Sequence, residues 1–165
     1  MSTIKKIIPC LWFDNQAEEA AAFYVSVFPR SRITRVSRYG EEGQEVHGRK
    51  PGSVMTVAFE LEGEPLTALN GGPHFKFSEA ISLQVMCDTQ DEIDRYWTKL
   101  SVGGDDKAQQ CGWLKDRYGL SWQIVPALLP DLIGDHDPAK GGRVMKAMLK
   151  MKKLDIAMLK QAYAG

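Results

Sequence analysis

Residues 7–28 read IIPCLWFDNQAEEAAAFYVSVF, and residues 81–100 repeat the same order of residue types as ISLQVMCDTQDEIDRYWTKL. Each stretch begins with an apolar run, which is followed by an aspartate, a glutamine, an acidic pair and an aromatic pair. An apolar run that passes into 3.6-residue periodicity predicts a strand leading into a helix. A repeat separated by this distance indicates two duplicated half-domains and not a solenoid.

The two predicted helices have matching start signals and matching apolar stripes. Asn15 with Glu18, and Thr89 with Glu92, each fit a capping box, in which the first side chain accepts from an orphan N–H group and the glutamate reaches back. Apolar residues at i, i+4 and i+7 predict one buried stripe on each helix. The stripes consist of Ala20, Tyr24 and Val27 in the first helix and Ile93, Trp97 and Leu100 in the second.

The segments that follow each helix predict further strands. In the first half these are residues 33–39, 54–61 and 66–69, with a glycine-punctuated loop over 40–52 and turn residues at 62–65. The second half repeats the order more compactly, with strands over 111–114 and 122–125. The prediction is an α+β fold of two βαβββ modules, organised as one domain over 1–165. Its parts are a first module (4–70), a connector (71–79), a second module (80–126) and a helical appendix (127–165).

Composition limits the classes of partner. Lysine plus arginine and aspartate plus glutamate both number 21, so the formal charge is +0 and no overall field attracts nucleic acid or an anionic membrane. The three cysteines are far apart and odd in number, which favours a reducing compartment over a disulfide framework. We therefore predict a cytoplasmic protein without a nucleic-acid or membrane partner.

The appendix is predicted to be helical and basic. Val144, Met148 and Met151 form one apolar stripe, and Ile156, Leu159 and Tyr163 form a second. A basic amphipathic helix can meet a membrane or RNA, but a solvated face over a methionine-filled seam is the preferred interpretation. The basic residues are Lys140, Arg143, Lys146, Lys150, Lys152, Lys153 and Lys160.

With this repeat, the chain resembles the vicinal oxygen chelate superfamily, which includes glyoxalase I, extradiol dioxygenases and bleomycin-resistance proteins. The resemblance covers about residues 4–126 and is carried within them by LNGGPHFKF (69–77) and CGWLKDRYGLSWQIV (111–125). These runs are similar to the PhnB-like branch, which often carries the label 3-demethylubiquinone-9 3-methyltransferase. The resemblance implies two βαβββ modules that curl around a cavity, and a homodimer.

The resemblance also implies positions for metal ligands, near Pro9, Leu66 or Thr67, Ser82 and Gln123. Metal ions such as Zn²⁺ or Mn²⁺ prefer imidazole nitrogen and carboxylate oxygen, which these residues lack. His47, His74 and His136 are all expected in loops. We predict no metal site and no cofactor, with a divalent metal as the alternative.

Strand alternation predicts which side chains face the cavity. Residues two apart share a face, so Ile81, Leu83, Val85 and Cys87 pack on the helix while Ser82, Gln84 and Met86 face the cavity. Gln123 joins them from the last strand. The first strand stays ambiguous, because alignment on the helices points Pro9, Leu11 and Phe13 inward and alignment on Asp14 and Asp88 points Cys10 and Trp12 inward. The predicted ligand-binding residues are Trp12, Phe13, Asn70, Ser82, Gln84, Met86, Trp113 and Gln123.

Two other features have competing interpretations. Cys111 is a candidate nucleophile if Lys107 or Lys115 lowers its pKa, but a buried inert thiol is the preferred interpretation. Trp122 is expected in the core, and the charges of the turn Lys115-Asp116-Arg117 are expected to be solvated.

Three functions follow, in order of preference. The first is a protein that binds a small aromatic or weakly polar molecule in a metal-free cavity, through aromatic walls and neutral amides. The second is an enzyme of the superfamily that acts on an aromatic or quinone-like substrate with a non-standard metal site or Cys111. The third is an S-adenosylmethionine-dependent methyltransferase, ranked last because the chain has no glycine-rich strand-turn-helix that would cradle such a cofactor.

Overall fold

A computed structural model describes residues 5–165, and residue 4, with which the predicted first module begins, lies outside the described part. The chain divides into two compact units, of which the first ends at Lys76 and the second comprises Phe77–Gly165. The first unit contains β1 (Cys10–Phe13), α1 (Ala17–Val27), β2 (Arg32–Arg38), α2 (Gln44–His47), β3 (Val54–Leu61) and β4 (Glu64–Asn70). The second unit contains β5 (Ser82–Cys87), α3 (Gln90–Ser101), a 3₁₀ turn (Asp106–Ala108), β6 (Trp113–Lys115), β7 (Ser121–Pro126), α4 (Leu129–Ile133), α5 (Pro138–Met148) and α6 (Ile156–Ala164).

The first unit has the predicted βαβββ order, with one added turn of helix. Its four strands lie in the order β1-β4-β3-β2, with β1 parallel to β4 and the other pairs antiparallel. Strands β3 and β4 are joined by Glu62 and Gly63, which have φ angles of 50° and 83°. Two consecutive positive φ angles are those of a type I′ hairpin, the turn that matches strand twist. The short α2 lies inside the segment predicted as a loop.

The core of the first unit lies between α1 and one face of this sheet. The predicted stripe of α1 is buried, with Ala20 and Tyr24 at 0% exposure. The strand residues that cover it alternate along each strand, as period-2 patterning requires. They are Leu11, Phe13, Val57, Phe59, Leu66 and Ala68, all buried.

The start of α1 differs from the prediction. Asn15 does not cap the helix. Gln16, which directly precedes α1, makes no side-chain cap hydrogen bond either. Instead Asn70 at the end of β4 accepts from the Ala17 N–H at 2.8 Å through its Oδ1. The predicted Asn15–Glu18 capping box is therefore wrong, because a side chain distant in sequence satisfies the orphan donor first.

The second unit confirms an α+β repeat, but its copy of the module has one strand fewer. Its sheet has three strands in the order β5-β7-β6. The segment between α3 and β6 forms the 3₁₀ turn and an isolated bridge between Gln110 and Trp113. These elements occupy the segment in place of a further strand, which is consistent with the more compact second copy read from the sequence.

Helix α3 confirms its predicted cap and corrects its predicted stripe. Thr89 Oγ1 accepts from the Glu92 N–H at 3.2 Å, and the Glu92 carboxylate accepts from the Asp88 N–H at 2.8 Å. Ile93 and Leu100 are fully buried, but the aromatic residue between them is Tyr96 and not Trp97, which is half-buried. The buried stripe therefore continues from Ile93 to the residue three positions later and not four, and both spacings lie on one helix face. Ile81 was predicted to pack on the helix, but it lies just before β5 and is 72% exposed, so this prediction is wrong.

The appendix forms an apolar cluster that packs against the end of β7. The predicted stripe residues Val144 and Leu159 are fully buried, and Asp155 caps α6 by accepting from the Met158 N–H at 2.9 Å. Gln90 of α3 holds the appendix by accepting from the Ile156 N–H and donating to the Leu154 carbonyl. The cluster comprises Val125, Leu129, Val144, Met151, Leu154 and Leu159. Within residues 5–165, no helix has the length and hydropathy that a membrane crossing requires.

Candidate functional site

Each sheet has one face covered by its helix and one face turned away from it, here called the distal face. In the second unit, the strand register places Gln84 opposite Gln123 and Gln123 opposite Trp113. Neighbours in a register share a face, so these three side chains form a row across the distal face. The face also includes Ser82, Met86, Lys115 and Ser121.

The polar residues of this distal face form a chain of hydrogen bonds. The Gln84 amide donates to Gln123 Oε1 at 3.3 Å, and the Gln123 amide donates to Ser82 Oγ at 2.8 Å. Each amide orients the next, so the row presents fixed donors and acceptors without a net charge. The structure thus brings together Ser82, Gln84 and Gln123, as strand alternation predicted.

Two larger predicted residues complete this face. Trp113 is half-buried beside Gln123, and Met86 is 49% exposed at the far end of β5. Trp122 points the other way, is 2% exposed and lies in the core as predicted. An indole and a thioether next to neutral amides offer contact area to a flat molecule and orient it through the amides.

The charged turn before β7 differs from the prediction for one residue. Asp116 is 2% exposed and is not solvated. Its carboxylate accepts from Trp122 Nε1 at 2.9 Å and from the backbone N–H groups of Tyr118 and Leu120. A buried carboxylate needs several donors, and here it fixes the turn that carries Gln123 into the sheet. Lys115 pairs with Glu79.

The first unit settles the ambiguity of strand β1. Leu11 and Phe13 are buried on the helix-covered face, whereas Cys10 and Trp12 lie on the distal face. The alignment on the aspartates was therefore the right one. Trp12 donates from Nε1 to the Gly72 carbonyl at 2.9 Å, and Phe75 packs edge-on against it with ring centroids 4.9 Å apart.

Two residues predicted to bind ligand lie elsewhere in the first unit. Phe13 is 3% exposed beneath α1. Asn70 is 7% exposed, and besides capping α1 it donates from Nδ2 to the Val54 carbonyl at 3.1 Å. Both polar ends of the Asn70 amide are thus engaged within the fold. Phe13 and Asn70 are register partners on the helix-covered side of the sheet, whereas Trp12 lies on the distal face.

The distal face of the first unit carries polar residues that strand-by-strand analysis did not single out. Thr56 and Leu69 are register partners, Leu69 pairs in turn with Trp12, and Ser37 pairs with Thr56 and hydrogen-bonds to it through its hydroxyl. These residues form a second row from one edge of the sheet to the other. The alternation in residues 54–61 was the available signal, but the sequence does not reveal which neighbours pair.

The positions at which the superfamily would hold a metal do not fit one. Pro9 and Leu66 have no donor atom, and Thr67, Ser82 and Gln123 offer only neutral oxygens. Residues 5–165 contain no group of three or more His, Cys, Asp or Glu side chains that could hold a metal ion. His47 ends α2 and packs against Tyr39 with ring centroids 4.5 Å apart.

Cys111 lies in a tight turn, and no histidine or carboxylate in the part of the chain that the structure describes hydrogen-bonds to its sulfur. It has a positive φ of 52°, and its N–H donates to the Met151 carbonyl at 2.8 Å. The contact to its sulfur is the Gln110 amide at 3.4 Å, which donates and so does not remove a proton. Of the lysines considered as activators, Lys115 is engaged by Glu79.

The other two thiols have raised pKa values. Burial, aided by the charge of Glu92, raises the pKa of Cys87 to about 12. Burial also raises the pKa of Cys10, although that residue is exposed overall. A thiol with a raised pKa is a poor nucleophile at neutral pH, so neither sulfur is activated for chemistry.

A small polar pocket of about 200 Å³ lies in the first unit at the start of α1. Arg49 enters it from the loop before β3 and donates to the Asp14 carbonyl, while its Nε is buried without a hydrogen-bond partner. No sequence pattern predicts this pocket, because it depends on how the loop before β3 folds back. It is lined by Asn15, Glu18, Arg49, Ser53, Val54 and Asn70.

Comparison with known proteins gives one family and several similar structures. A family model described as 3-demethylubiquinone-9 3-methyltransferase matches residues 5–125. A Bacillus cereus protein described as PhnB, with the same methyltransferase name, is 37% identical over 74% of this chain and 100% of its own, with a TM-score of 0.63. Among curated proteins, none matches significantly.

Two more distant structures share the fold alone. Protein PA1353 from Pseudomonas aeruginosa is 18% identical over 74% of this chain and 97% of its own, with a TM-score of 0.56. The fosfomycin resistance protein FosX from Mesorhizobium loti is 14% identical over 81% of this chain and 99% of its own, with a TM-score of 0.54.

Proposed function

The chain belongs to the family described as 3-demethylubiquinone-9 3-methyltransferase, within the glyoxalase/bleomycin-resistance fold, and on that premise we propose that it binds a small aromatic or weakly polar molecule on the distal faces of its sheets, without a metal. The observation that carries this proposal is the hydrogen-bonded row of Ser82, Gln123 and Gln84 beside Trp113. Neutral amides next to an indole suit a flat ligand with few polar atoms.

The free hydrogen-bonding capacity of this row supports the proposal. After the two internal bonds, Gln84 Oε1 still accepts and the Ser82 hydroxyl still donates. A ligand with one acceptor and one donor, such as a phenol or an aromatic amide, satisfies both ends while its ring contacts Trp113, whereas a quinone, which only accepts, satisfies the Ser82 hydroxyl alone. The distal face of the first unit offers the same combination, with Trp12 at one edge and the Ser37–Thr56 hydroxyl pair near the other.

The methyltransferase activity in the family description is a separate hypothesis. The pair Gly71-Gly72 follows β4, but it leads into a turn at Pro73 and an irregular segment before β5 and not into a helix. These residues therefore do not form the strand-turn-helix that holds a nucleotide-like cofactor. The family name points to quinone-like compounds as probes.

A thermal-shift screen of purified, chelator-treated protein separates these possibilities, because a ligand that binds the native state raises its melting temperature by mass action. The panel contains divalent metals, S-adenosylmethionine, the quinone menadione and the neutral aromatic 2-naphthamide. We expect stabilisation by aromatic compounds and no response to metals. Stabilisation by metal, confirmed by elemental analysis, would contradict the proposal and favour an enzyme, and stabilisation by S-adenosylmethionine would favour the methyltransferase.

A further inference from the structure

An irregularity in edge strand β2 turns Arg35 onto the distal face of the first unit. Ile33 pairs with Phe59, but the next pair is Arg35 with Ala58, so Thr34 is an extra residue. Two residues opposite one constitute a β-bulge, a feature that re-aims side chains and is frequent beside functional sites. Without the extra residue, Thr34 would lie opposite Ala58, and Arg35 would point toward α1.

Within residues 5–76, Arg35 also differs from the other arginines, each of which has a recorded partner. Arg30 pairs with Glu62, Arg32 pairs with Glu60, Arg38 donates to the Gly52 carbonyl, and Arg49 pairs with Asp14. Among the described residues of this unit, Arg35 is the arginine without an ion pair or hydrogen bond. Glu60, two residues from Ala58 on the same face of β3, is held by Arg32 at 3.0 Å. Arg35 therefore places a positive charge on the distal face that no described residue neutralises.

The residues beside Arg35 leave room for a ligand. Across the sheet, Arg35 pairs with Ala58, Ala58 with Thr67, and Thr67 with Cys10, so three small side chains follow the guanidinium. The adjacent row ends at Trp12 on β1. Strands lie about 4.8 Å apart, so the backbones of β2 and β1 are roughly 14 Å apart. Arg35 and Trp12 carry long side chains at the two edges of the sheet, so a bicyclic aromatic acid is short enough to lie between them.

We propose that the ligand of this face is an aromatic molecule that carries one carboxylate, with the ring system near Trp12 and the carboxylate on Arg35. This inference rests on the proposed function and names the chemical class of its ligand. The guanidinium fork matches a carboxylate in a bidentate arrangement. Leu69 and Ala58 supply the apolar floor between the two ends.

The test compares 2-naphthoate with its neutral counterpart 2-naphthamide by isothermal titration calorimetry at low ionic strength. The wild-type protein binds naphthoate about tenfold more tightly than naphthamide, since charge-assisted hydrogen bonds are stronger than neutral ones. Arg35→Gln abolishes this preference and leaves naphthamide affinity unchanged, which also shows that the variant is folded. Arg30→Gln removes the same unit of charge away from this face and keeps the preference.

The possible outcomes separate this inference from the proposed function. If the wild-type protein binds neither naphthamide nor naphthoate, the proposed function and the carboxylate assignment are both contradicted. Equal affinities for the two compounds, or an unchanged preference in Arg35→Gln, overturn the carboxylate assignment and leave aromatic binding in place. Arginines on an edge strand also block pairing with another sheet. If Arg35 has only that role, naphthoate and naphthamide bind alike or the preference survives in Arg35→Gln. Loss of the preference in Arg30→Gln as well would reduce the effect to overall charge and overturn the assignment.

Discussion

Replacing Asn70 with alanine tests how the first unit is held together. The Asn70 amide accepts from the Ala17 N–H at 2.8 Å and donates to the Val54 carbonyl at 3.1 Å, and the residue is 7% exposed. Loss of the helix cap costs about 1 kcal/mol. The second lost bond leaves a partly buried carbonyl unsatisfied and costs roughly 1 kcal/mol more. We expect a total of about 2 kcal/mol.

Amide hydrogen exchange measured by mass spectrometry localises this effect. A change of about 2 kcal/mol accelerates exchange about thirtyfold where opening of the unit controls it. We expect that acceleration in peptides from α1 and β3 of Asn70→Ala. Peptides from the appendix serve as the internal reference and should exchange at the wild-type rate.

The matched control is Asn15→Ala, because Asn15 is the residue that local sequence rules assign as the cap. It is exposed and makes no cap hydrogen bond to α1, so its replacement should change stability by less than about 0.5 kcal/mol. A large loss in Asn15→Ala together with wild-type exchange in Asn70→Ala would refute this account of how α1 begins.

Three further predictions concern the second unit. Asp116→Asn should lower the free energy of unfolding by about 2 kcal/mol and alter the near-ultraviolet circular dichroism of Trp122. The reason is that the amide N–H₂ group would face one of the three N–H groups that now donate to the carboxylate. An unchanged urea midpoint would contradict this. Thr89→Ala should cost about 1 kcal/mol through loss of the α3 cap, measured by urea unfolding, whereas a serine at this position should retain most of it. Burial raises the pKa of Cys87 from 9.0 to about 12, so the thiol loses its proton at a lower pH in the unfolded state than in the folded state. The free energy of unfolding should therefore fall as pH rises from about 9 to 12, and Cys87→Ala should lessen this dependence on pH.

Most of the fold could be predicted because local signals and tertiary packing agree along much of the chain. The periodicity of α1 and the alternation of β3 and β5 coincide with the faces that the core covers, and the cap of α3 consists of residues within one turn. The missed features depend on residues that are distant in sequence. Asn70 caps a helix 53 positions earlier, and local rules assign that role to Asn15.

The predicted site was only partly accessible for the same reason. Alternation correctly grouped Ser82, Gln84 and Gln123, because strand period alone decides their face. It left β1 ambiguous, since the two copies differ by one residue in length and a shift of one residue exchanges the faces. Arg35 was not identified, because a bulge changes the alternation and leaves no mark in the residue types of β2.

The measurement that tests the central claim most directly is a calorimetric titration of 2-naphthamide into wild-type protein and into the double variant Gln84→Leu/Gln123→Leu. Removal of the amide row should weaken binding about tenfold, since each neutral hydrogen bond contributes roughly 1 kcal/mol and the apolar replacements offset part of the loss. Gln161→Leu, an exposed glutamine on α6, should bind like the wild type. A double variant that binds as tightly as the wild-type protein would contradict the claim and remove these residues from the site.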